Sequence, residues 1–150
     1  GWTGARIPVG GGAALNDWIR DISGGVFEKL SLQSIFGTCM APLAWLAGVD
    51  AAEMLRAGQL LGTKLALNEF VAYDVLSSMK GAGTLSERSV FLMTFALCGF
   101  ANLGSVGIQL GGIGGLAPGQ RSALAALGLR ALLGGTVATL LTASIAGMFR

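Results

Sequence analysis

The chain has 150 residues, of which 53% are hydrophobic and only 12% charged, and its formal net charge is +2. An ordinary soluble domain carries about 25% charged residues, so this composition favours about four membrane segments over one soluble domain. The small net charge and the lack of a Lys/Arg cluster argue against a nucleic-acid partner.

The chemistry available to the side chains is limited. The sequence contains no histidine, which removes the commonest catalytic base and the commonest metal ligand. No pairing of a nucleophile with a base is visible, so we expect neither an enzyme nor a metal site. Cys39 and Cys98 stand alone in separate apolar runs, and we expect them to be small core residues rather than a disulfide.

The first 30 residues are predicted to form a unit separate from residues 31–150. Residues 1–12 are rich in glycine and are expected to be irregular. From Ala13 to Lys29, charged residues alternate with apolar ones. This pattern predicts a short amphipathic helix at the membrane surface, with a break at Gly24-Gly25.

Two uncharged runs of 19 residues are close to the length that crosses a bilayer, which is about 20 apolar residues. The first is Ser31 to Val49, and Pro42 inside it is expected to kink the helix. The second is Ala131 to Phe149. We expect the final span to start around Ser122 and to end at Arg150.

The stretch from Asp50 to Lys80 predicts a re-entrant hairpin. Folded as two arms of about 14 residues, each arm reaches only about 21 Å, short of the ~30 Å hydrocarbon core. The alternative is one long tilted helix. A helix-start signal of the capping-box type follows, with Thr84 and Glu87 as its first and last residues.

The 32 uncharged residues from Ser89 to Gln120 are too many for one span. Glycines crowd the second half, which predicts a discontinuous helix with one half up to about Phe100 and the other beyond Ser105. Unwound backbone between the halves would be free to bind a polar ligand. Small residues spaced by four favour helix packing; here they are Gly107, Gly111 and Gly115.

Glu69 is the residue that most strongly suggests a binding site. An ionisable side chain in hydrocarbon costs roughly 2.5–3.5 kcal/mol even on the more lenient scale, so it is a functional hypothesis by default. It could be a structural carboxylate tied to Lys64 or to a backbone donor, or it could accept hydrogen bonds from ligand hydroxyls. The second interpretation is favoured. No cation lies on its own helical face, so its partner must come from another segment, from water or from a ligand.

Three other polar residues accompany this carboxylate. Lys64, five residues away, is assigned a snorkelling role near the headgroups. Asn102 and Ser105 are spaced i, i+3 and would share one face of a helix. They suit contacts between helices and contacts with a ligand equally well.

Two strings closely resemble the signature stretches of the concentrative nucleoside transporters: Gly62-Thr-Lys-Leu-Ala-Leu-Asn-Glu-Phe-Val-Ala-Tyr73 and Thr94-Phe-Ala-Leu-Cys-Gly-Phe-Ala-Asn102. Shorter strings beginning at Ala41, Gly111 and Leu127 are also similar, and the resemblance covers roughly residues 30 to 149. It implies a homotrimeric cation-coupled importer, built from two inverted repeats of a hairpin and a broken helix. This chain would hold the second repeat.

The resemblance also implies roles for individual residues. Glu69, at the hairpin tip beside Asn68, would hold the ribose hydroxyls of a nucleoside, and Asn102 and Ser105 would help from the broken helix. Phe100 would line the same cavity. The sequence departs from the family at two neighbouring positions, where an aromatic residue and a serine are replaced by Leu103 and Gly104, and a shift in substrate preference is expected.

The resemblance does not extend to the first half of the family fold, which carries the hairpin that reads the nucleobase and the ligands of the coupling ion. We therefore predict an all-α membrane protein that is the C-terminal half of a Na⁺- or H⁺-coupled nucleoside importer, inactive alone, as a fragment or a truncated product. We expect it in the bacterial inner membrane, with no cofactor besides the coupling ion. The alternative is a non-transporting module that packs against other membrane helices.

Overall fold

The computed structural model describes residues 12–149, with side chains from residue 15 onward. Most of the tail predicted at residues 1–12, and the predicted end of the last span at Arg150, lie outside this range. Between residues 12 and 149 the secondary structure is entirely helical. The helices are α1 (Gly12–Ile22), α2 (Leu32–Leu46), α3 (Met54–Ala66), α4 (Glu69–Gly81), α5 (Glu87–Leu97), α6 (Leu103–Leu116) and α7 (Arg121–Gly147), with a 3₁₀ turn at Pro118–Gln120.

The last helix agrees with the prediction of a final span. Within the described residues, the stretch Pro118–Gly147 is the one helical segment long and apolar enough to cross a membrane. Its main part, α7, has 27 residues and is about 40 Å long at 1.5 Å per residue. That exceeds the ~30 Å hydrocarbon core, so α7 can span the membrane with a tilt.

The prediction of a spanning helix over Ser31 to Val49 is wrong in length. Helix α2 has 15 residues and ends at Leu46, which makes it only about 22 Å long. It ends because Gly48 adopts a φ of +106°, and the Val49 amide then bonds the Ala44 carbonyl at 3.2 Å. This is a Schellman ending, which glycine allows without steric cost.

The segment from Asp50 to Lys80 is a hairpin, and the alternative of one long helix is wrong. Helices α3 and α4 have 13 residues each and are therefore about 20 Å long. They are separated at Leu67 and Asn68, where the backbone leaves the helical conformation. Neither arm alone can cross a bilayer, as a re-entrant hairpin requires.

The predicted discontinuous helix is also present, as α5 and α6 with residues 98–102 between them. The second half begins earlier than predicted, at Leu103. The capping residue of α5 was predicted wrongly as well: the Ser86 hydroxyl accepts the Ser89 amide at 3.2 Å, while the Thr84 hydroxyl donates to the Met79 carbonyl. Cys98, in the break, and Cys39 are free and exposed, so neither is the core residue expected.

The interior lies where α3 and α5 meet α2 and α7, and its largest fully buried apolar side chains are Leu60, Leu92, Met93 and Leu97. Outside this core many apolar side chains are exposed. Leu116 is 90% exposed, for example, and several others on α6 and α7 are exposed by more than half. An outer surface of this kind is suited to lipid or to further protein segments rather than to water.

Helices α2 and α3 pack closely together, and glycines make this contact possible. A Cβ added at Gly58 would overlap the carbonyl oxygen of Gly37, and one at Gly62 would lie 2.5 Å from the Gln33 carbonyl oxygen. In contrast, no described atom lies within 4 Å of a Cβ built at Gly107, Gly111 or Gly115. The packing predicted for the α6 glycines is therefore not made within residues 12–149.

This contrast predicts opposite effects for two glycine-to-alanine substitutions. Gly58→Ala forces α2 away from α3 and should cost about 1–3 kcal/mol of unfolding free energy through overpacking. Gly107→Ala meets open space and should be neutral or stabilising by up to about 1 kcal/mol, because alanine favours the helix. Unfolding of the two variants in detergent, followed by circular dichroism, measures the difference. Equal stability of the two would contradict the close approach of α2 and α3.

Hydrogen bonds also join the start of the hairpin to the start of α5, outside the apolar segments. The Glu53 carboxylate accepts the Ser86 amide at 2.9 Å and the Ser86 hydroxyl at 3.0 Å. Burial by itself raises the pKa of the Glu53 carboxyl, but hydrogen bonds from Ser89 and Ser86 outweigh it and hold the pKa below its ordinary value.

The lowered pKa makes this link sensitive to acid. A carboxyl whose pKa is lower in the fold than in the unfolded chain adds stability above its unfolded pKa, and that stability is lost as the pH falls through the folded pKa. We therefore expect wild type to be more stable than Glu53→Gln near pH 7 and to lose that advantage toward about pH 4 or below. Thermal unfolding across this range tests it, with the exposed Glu28→Gln as the control; an advantage of wild type that grows on acidification would contradict it.

Candidate functional site

The two helix breaks are built in the same way, each around an asparagine. Asn68 caps α4, its side-chain oxygen accepting the Val71 amide at 3.0 Å. Asn102 caps α6, its side-chain oxygen accepting the amide and the hydroxyl of Ser105 at 2.7 and 3.0 Å. Asparagine is among the strongest N-cap residues because its short side chain reaches the free amides of the first turn. Each second half-helix therefore starts at a polar residue that the sequence analysis assigned to the site.

The geometry of Asn102 and Ser105 differs from the one predicted. They do not share a helical face, because Asn102 lies before the helix in extended backbone and Ser105 is in the first turn. The cap hydrogen bonds bring the two side chains together instead. Ser105 is fixed by Asn102, and its hydroxyl is held beside the break.

Glu69 meets Asn102 across the two breaks. The Glu69 carboxylate accepts the Asn102 side-chain amide at 3.4 Å, and the two residues are 7% and 3% exposed. The partner comes from another segment, one of the three sources that the sequence analysis left open. Glu69 is also the first residue of α4, where the positive end of the helix dipole favours a carboxylate. One contact therefore joins the hairpin tip to the second half of the broken helix.

Lys64 does not snorkel, which corrects the role assigned from the sequence. It is 2% exposed, and its ammonium donates to the Ala96 carbonyl at 2.9 Å and to the Thr139 hydroxyl at 3.3 Å. The error arose because the sequence shows only the spacing to Glu69, whereas the acceptors of Lys64 lie on α5 and α7.

A cavity of about 200 Å³ lies between the start of α6 and the middle of α7. Three of the predicted site residues line it, namely Phe100, Asn102 and Ser105. Glu69 and Asn68 are outside its lining; Glu69 connects to it through Asn102 and Asn68 serves as the cap of α4. Phe100 is 72% exposed and offers an aromatic face at the rim of the cavity.

Gln109 also lines this cavity, and the sequence analysis did not select it. Its position was visible in principle, since it lies four residues after Ser105 on the same helical face. The departure at Gly104 lies beside these residues: a Cβ there would be only 3.2 Å from the side-chain oxygen of Asn102. A larger side chain at position 104 would press on the cap that holds Ser105.

A hairpin that stops within the membrane, facing a discontinuous helix, is how secondary transporters form their substrate sites, with polar groups at the breaks. The fold and the site therefore define a domain of a membrane transporter. The family model described as "Na+ dependent nucleoside transporter C-terminus" matches residues 9–147. The chain belongs to this family of C-terminal domains of Na⁺-dependent nucleoside transporters, as the resemblance of its two strings indicated.

Individual relatives and solved structures support the same family assignment. The chain is 46% identical over 158 aligned residues to an uncharacterized transporter, YutK, of Bacillus subtilis, covering 98% of this chain and 39% of the relative. It is 50% identical over 124 residues to a putative nucleoside permease, NupX, of Escherichia coli, covering 82% and 30%. A solved structure of CNTnw in an inward-facing substrate-bound state superposes with a TM-score of 0.73 at 42% identity, covering 91% of this chain and 33% of that one. The chain thus spans well under half of these proteins.

The family membership confirms the predicted class of protein, its integral membrane nature and its relation to nucleoside transport. The homologues are transporters. The assignment of Glu69, Asn68, Asn102, Ser105 and Phe100 to the substrate site stays a prediction, as does the division of the chain at residue 30.

The two asparagines provide a matched test of the site's architecture. Asn68→Ala removes a cap, which should cost about 0.5–2 kcal/mol of unfolding free energy. Asn102→Ala removes a cap and also leaves the buried Glu69 carboxylate without its partner, which should add about 1–3 kcal/mol. Thermal or denaturant unfolding in detergent compares them. If Asn102→Ala is no more destabilising than Asn68→Ala, the contact between Asn102 and Glu69 carries no energy.

Proposed function

We propose that this chain supplies the ribose-binding half of the substrate site in a cation-coupled nucleoside importer. The contact between Glu69 and Asn102 is the observation that carries this proposal. It places a carboxylate, an amide and the Ser105 hydroxyl at the junction of the hairpin and the broken helix. A ribose presents neighbouring hydroxyl groups, which both donate and accept hydrogen bonds, and these polar groups would bind them.

The contact with Asn102 leaves the Glu69 carboxylate able to bind a ligand. It uses one of the roughly four lone-pair sites of an ionised carboxylate. A ligand hydroxyl would donate to another of these sites, and hydrogen bonds to an ionised acceptor are roughly twice as strong as neutral ones. The exposed ring of Phe100 would cover the apolar side of the sugar, and Asn68 lies next to Glu69 at the tip.

The remaining parts of the site and the assembly are proposed from family membership. The coupling ion is Na⁺ or H⁺, and its ligands and the residues that read the nucleobase lie in the part of the transporter that this chain does not include. The transporter works as a homotrimer in the lipid bilayer, in the inner membrane of a bacterium. The hairpin and the broken helix move together during alternating access.

The alternative of a non-transporting packing module is less well supported. A module that only packs against other helices needs no buried carboxylate, and an ionisable group at membrane depth carries a cost that function must offset. Its support would be the face of α6 that carries Gly107, Gly111 and Gly115, because no described residue packs against these glycines. That face is equally expected of a domain that lacks the rest of its transporter.

The experiment joins this chain to the matching amino-terminal part of the Bacillus subtilis relative and measures uridine binding by calorimetry. Glu69→Gln keeps the size of the side chain but removes its charge, so we expect the affinity for uridine to fall at least tenfold. A tenfold change corresponds to about 1.4 kcal/mol, close to the lower end of the roughly 1.5–3 kcal/mol of a hydrogen bond to a charged group.

Two controls make the result specific. The exposed Asp74→Asn removes a carboxylate from the same helix and should leave the affinity unchanged. 2′-Deoxyuridine should bind wild type less tightly than uridine does, and Glu69→Gln should reduce that preference. Unchanged uridine affinity in a folded Glu69→Gln protein would overturn the ribose-binding role.

A further inference from the structure

The end of α5 is held by side chains from both arms of the hairpin. Helix α5 ends at Leu97, and the last four carbonyls of a helix have no partner within it. The Tyr73 hydroxyl, from α4, donates to the Thr94 carbonyl at 2.7 Å. The Lys64 ammonium, from α3, donates to the Ala96 carbonyl at 2.9 Å. The hairpin therefore supplies the hydrogen bonds that the break removes from the helix.

The surroundings of the Lys64 ammonium are those of a cation site. The carboxyl end of a helix carries a partial negative charge of about half an electron, and the ammonium lies at this end. The Thr139 hydroxyl donates its own proton to the Thr136 carbonyl at 3.0 Å, which turns its lone pairs toward Lys64. Carbonyl oxygens at the ends of half-helices are also the ligands that hold a mobile Na⁺ in transporters with broken helices.

The backbone of the break is shaped around this group. Gly99 adopts a φ of +150°, which side chains with a Cβ rarely accept. A Cβ there would lie 2.9 Å from the Thr139 methyl carbon and 4.0 Å from the Lys64 nitrogen. Glycine therefore allows the broken helix and α7 to approach the ammonium together.

We propose that the Lys64 ammonium is a built-in cation of this helix break and occupies a position that would otherwise take a mobile monovalent cation. It holds the end of α5, the hairpin and α7 with one fixed charge. This break consequently needs no ion of its own. The inference does not depend on the identity of the substrate, because it concerns only residues and contacts within this chain.

The test is to remove the ammonium and return it as a free molecule. Lys64→Ala removes the atoms that correspond to propylammonium, and Lys64→Met keeps an apolar stem in the same space without a charge. The exposed Lys80→Ala is the matched control. For wild type and each variant of the full chain in detergent, the midpoint of thermal unfolding is measured during titration with propylammonium chloride. A parallel titration with tetramethylammonium chloride at equal ionic strength is the control for a cation that cannot donate hydrogen bonds.

The expected result is that Lys64→Ala and Lys64→Met both unfold at a lower temperature than wild type. Propylammonium should restore at least half of the loss in Lys64→Ala, and saturably. It should have no such effect on wild type, Lys64→Met or Lys80→Ala, and tetramethylammonium should rescue none of them. A saturable rescue of Lys64→Ala by NaCl, beyond the effect of ionic strength, would further support a vacated cation position.

Two outcomes would overturn the proposal. The first is a Lys64→Met protein as stable as wild type, since a neutral stem would then suffice. The second is a propylammonium effect on Lys64→Ala no larger than on wild type. If Lys64→Ala does not fold under any condition, the stability of Lys64→Met relative to wild type decides whether the charge is needed or a neutral stem suffices. The readout is unfolding rather than nucleoside binding, so this inference and the ribose-binding role can fail separately.

Discussion

A helix that stops inside a membrane leaves amides and carbonyls that only the protein itself can pair, and this fold is organised around two such stops. In hydrocarbon, each unpaired backbone group costs several kcal/mol. The starts of α4 and α6 are paired by Asn68 and Asn102. The end of α5 is paired by Tyr73 and Lys64. Two of these four residues, Asn68 and Asn102, are also among the residues predicted for the candidate substrate site.

The hydrogen bonds between the hairpin and the broken helix limit how the domain can move. The hairpin supplies hydrogen bonds to the end of α5 and a carboxylate to the cap residue of α6, so separating it from the broken helix would leave buried polar groups unpaired on both sides. The hairpin and the broken helix should therefore move as one body. Under the proposed function, the site would open at a boundary between this body and other parts of the transporter. The exposed apolar residues, together with Gly107, Gly111 and Gly115 of α6, offer surfaces for such a boundary.

As proposed, the site within this chain suits hydroxyl groups rather than a base or a phosphate. Its polar atoms are a carboxylate, two asparagine side chains, a serine hydroxyl and the nearby Gln109 amide, with Phe100 at the rim. The Lys64 ammonium is held by its hydrogen bonds to the end of α5 and to α7. Its charge consequently organises the protein and is not free to bind an anionic substrate.

The sequence by itself determined the features that depend on composition and length along the chain. It was enough to predict a membrane protein, a hairpin of two short arms, a discontinuous helix, a long final span and a buried carboxylate, because apolar lengths and misplaced charges can be read locally. The resemblance of two strings added the family.

The tertiary structure decided what depends on partners from other segments. It buried Lys64, which the sequence analysis had placed at the headgroups, and it joined Asn102 to Glu69 across the two breaks. It also showed that close glycine packing occurs at Gly58 and Gly62 of α3, whereas the sequence analysis had predicted it for α6. The physical reason is that a hydrogen bond or a close contact belongs to two segments at once, and a single sequence shows the two segments but not which of their side chains meet.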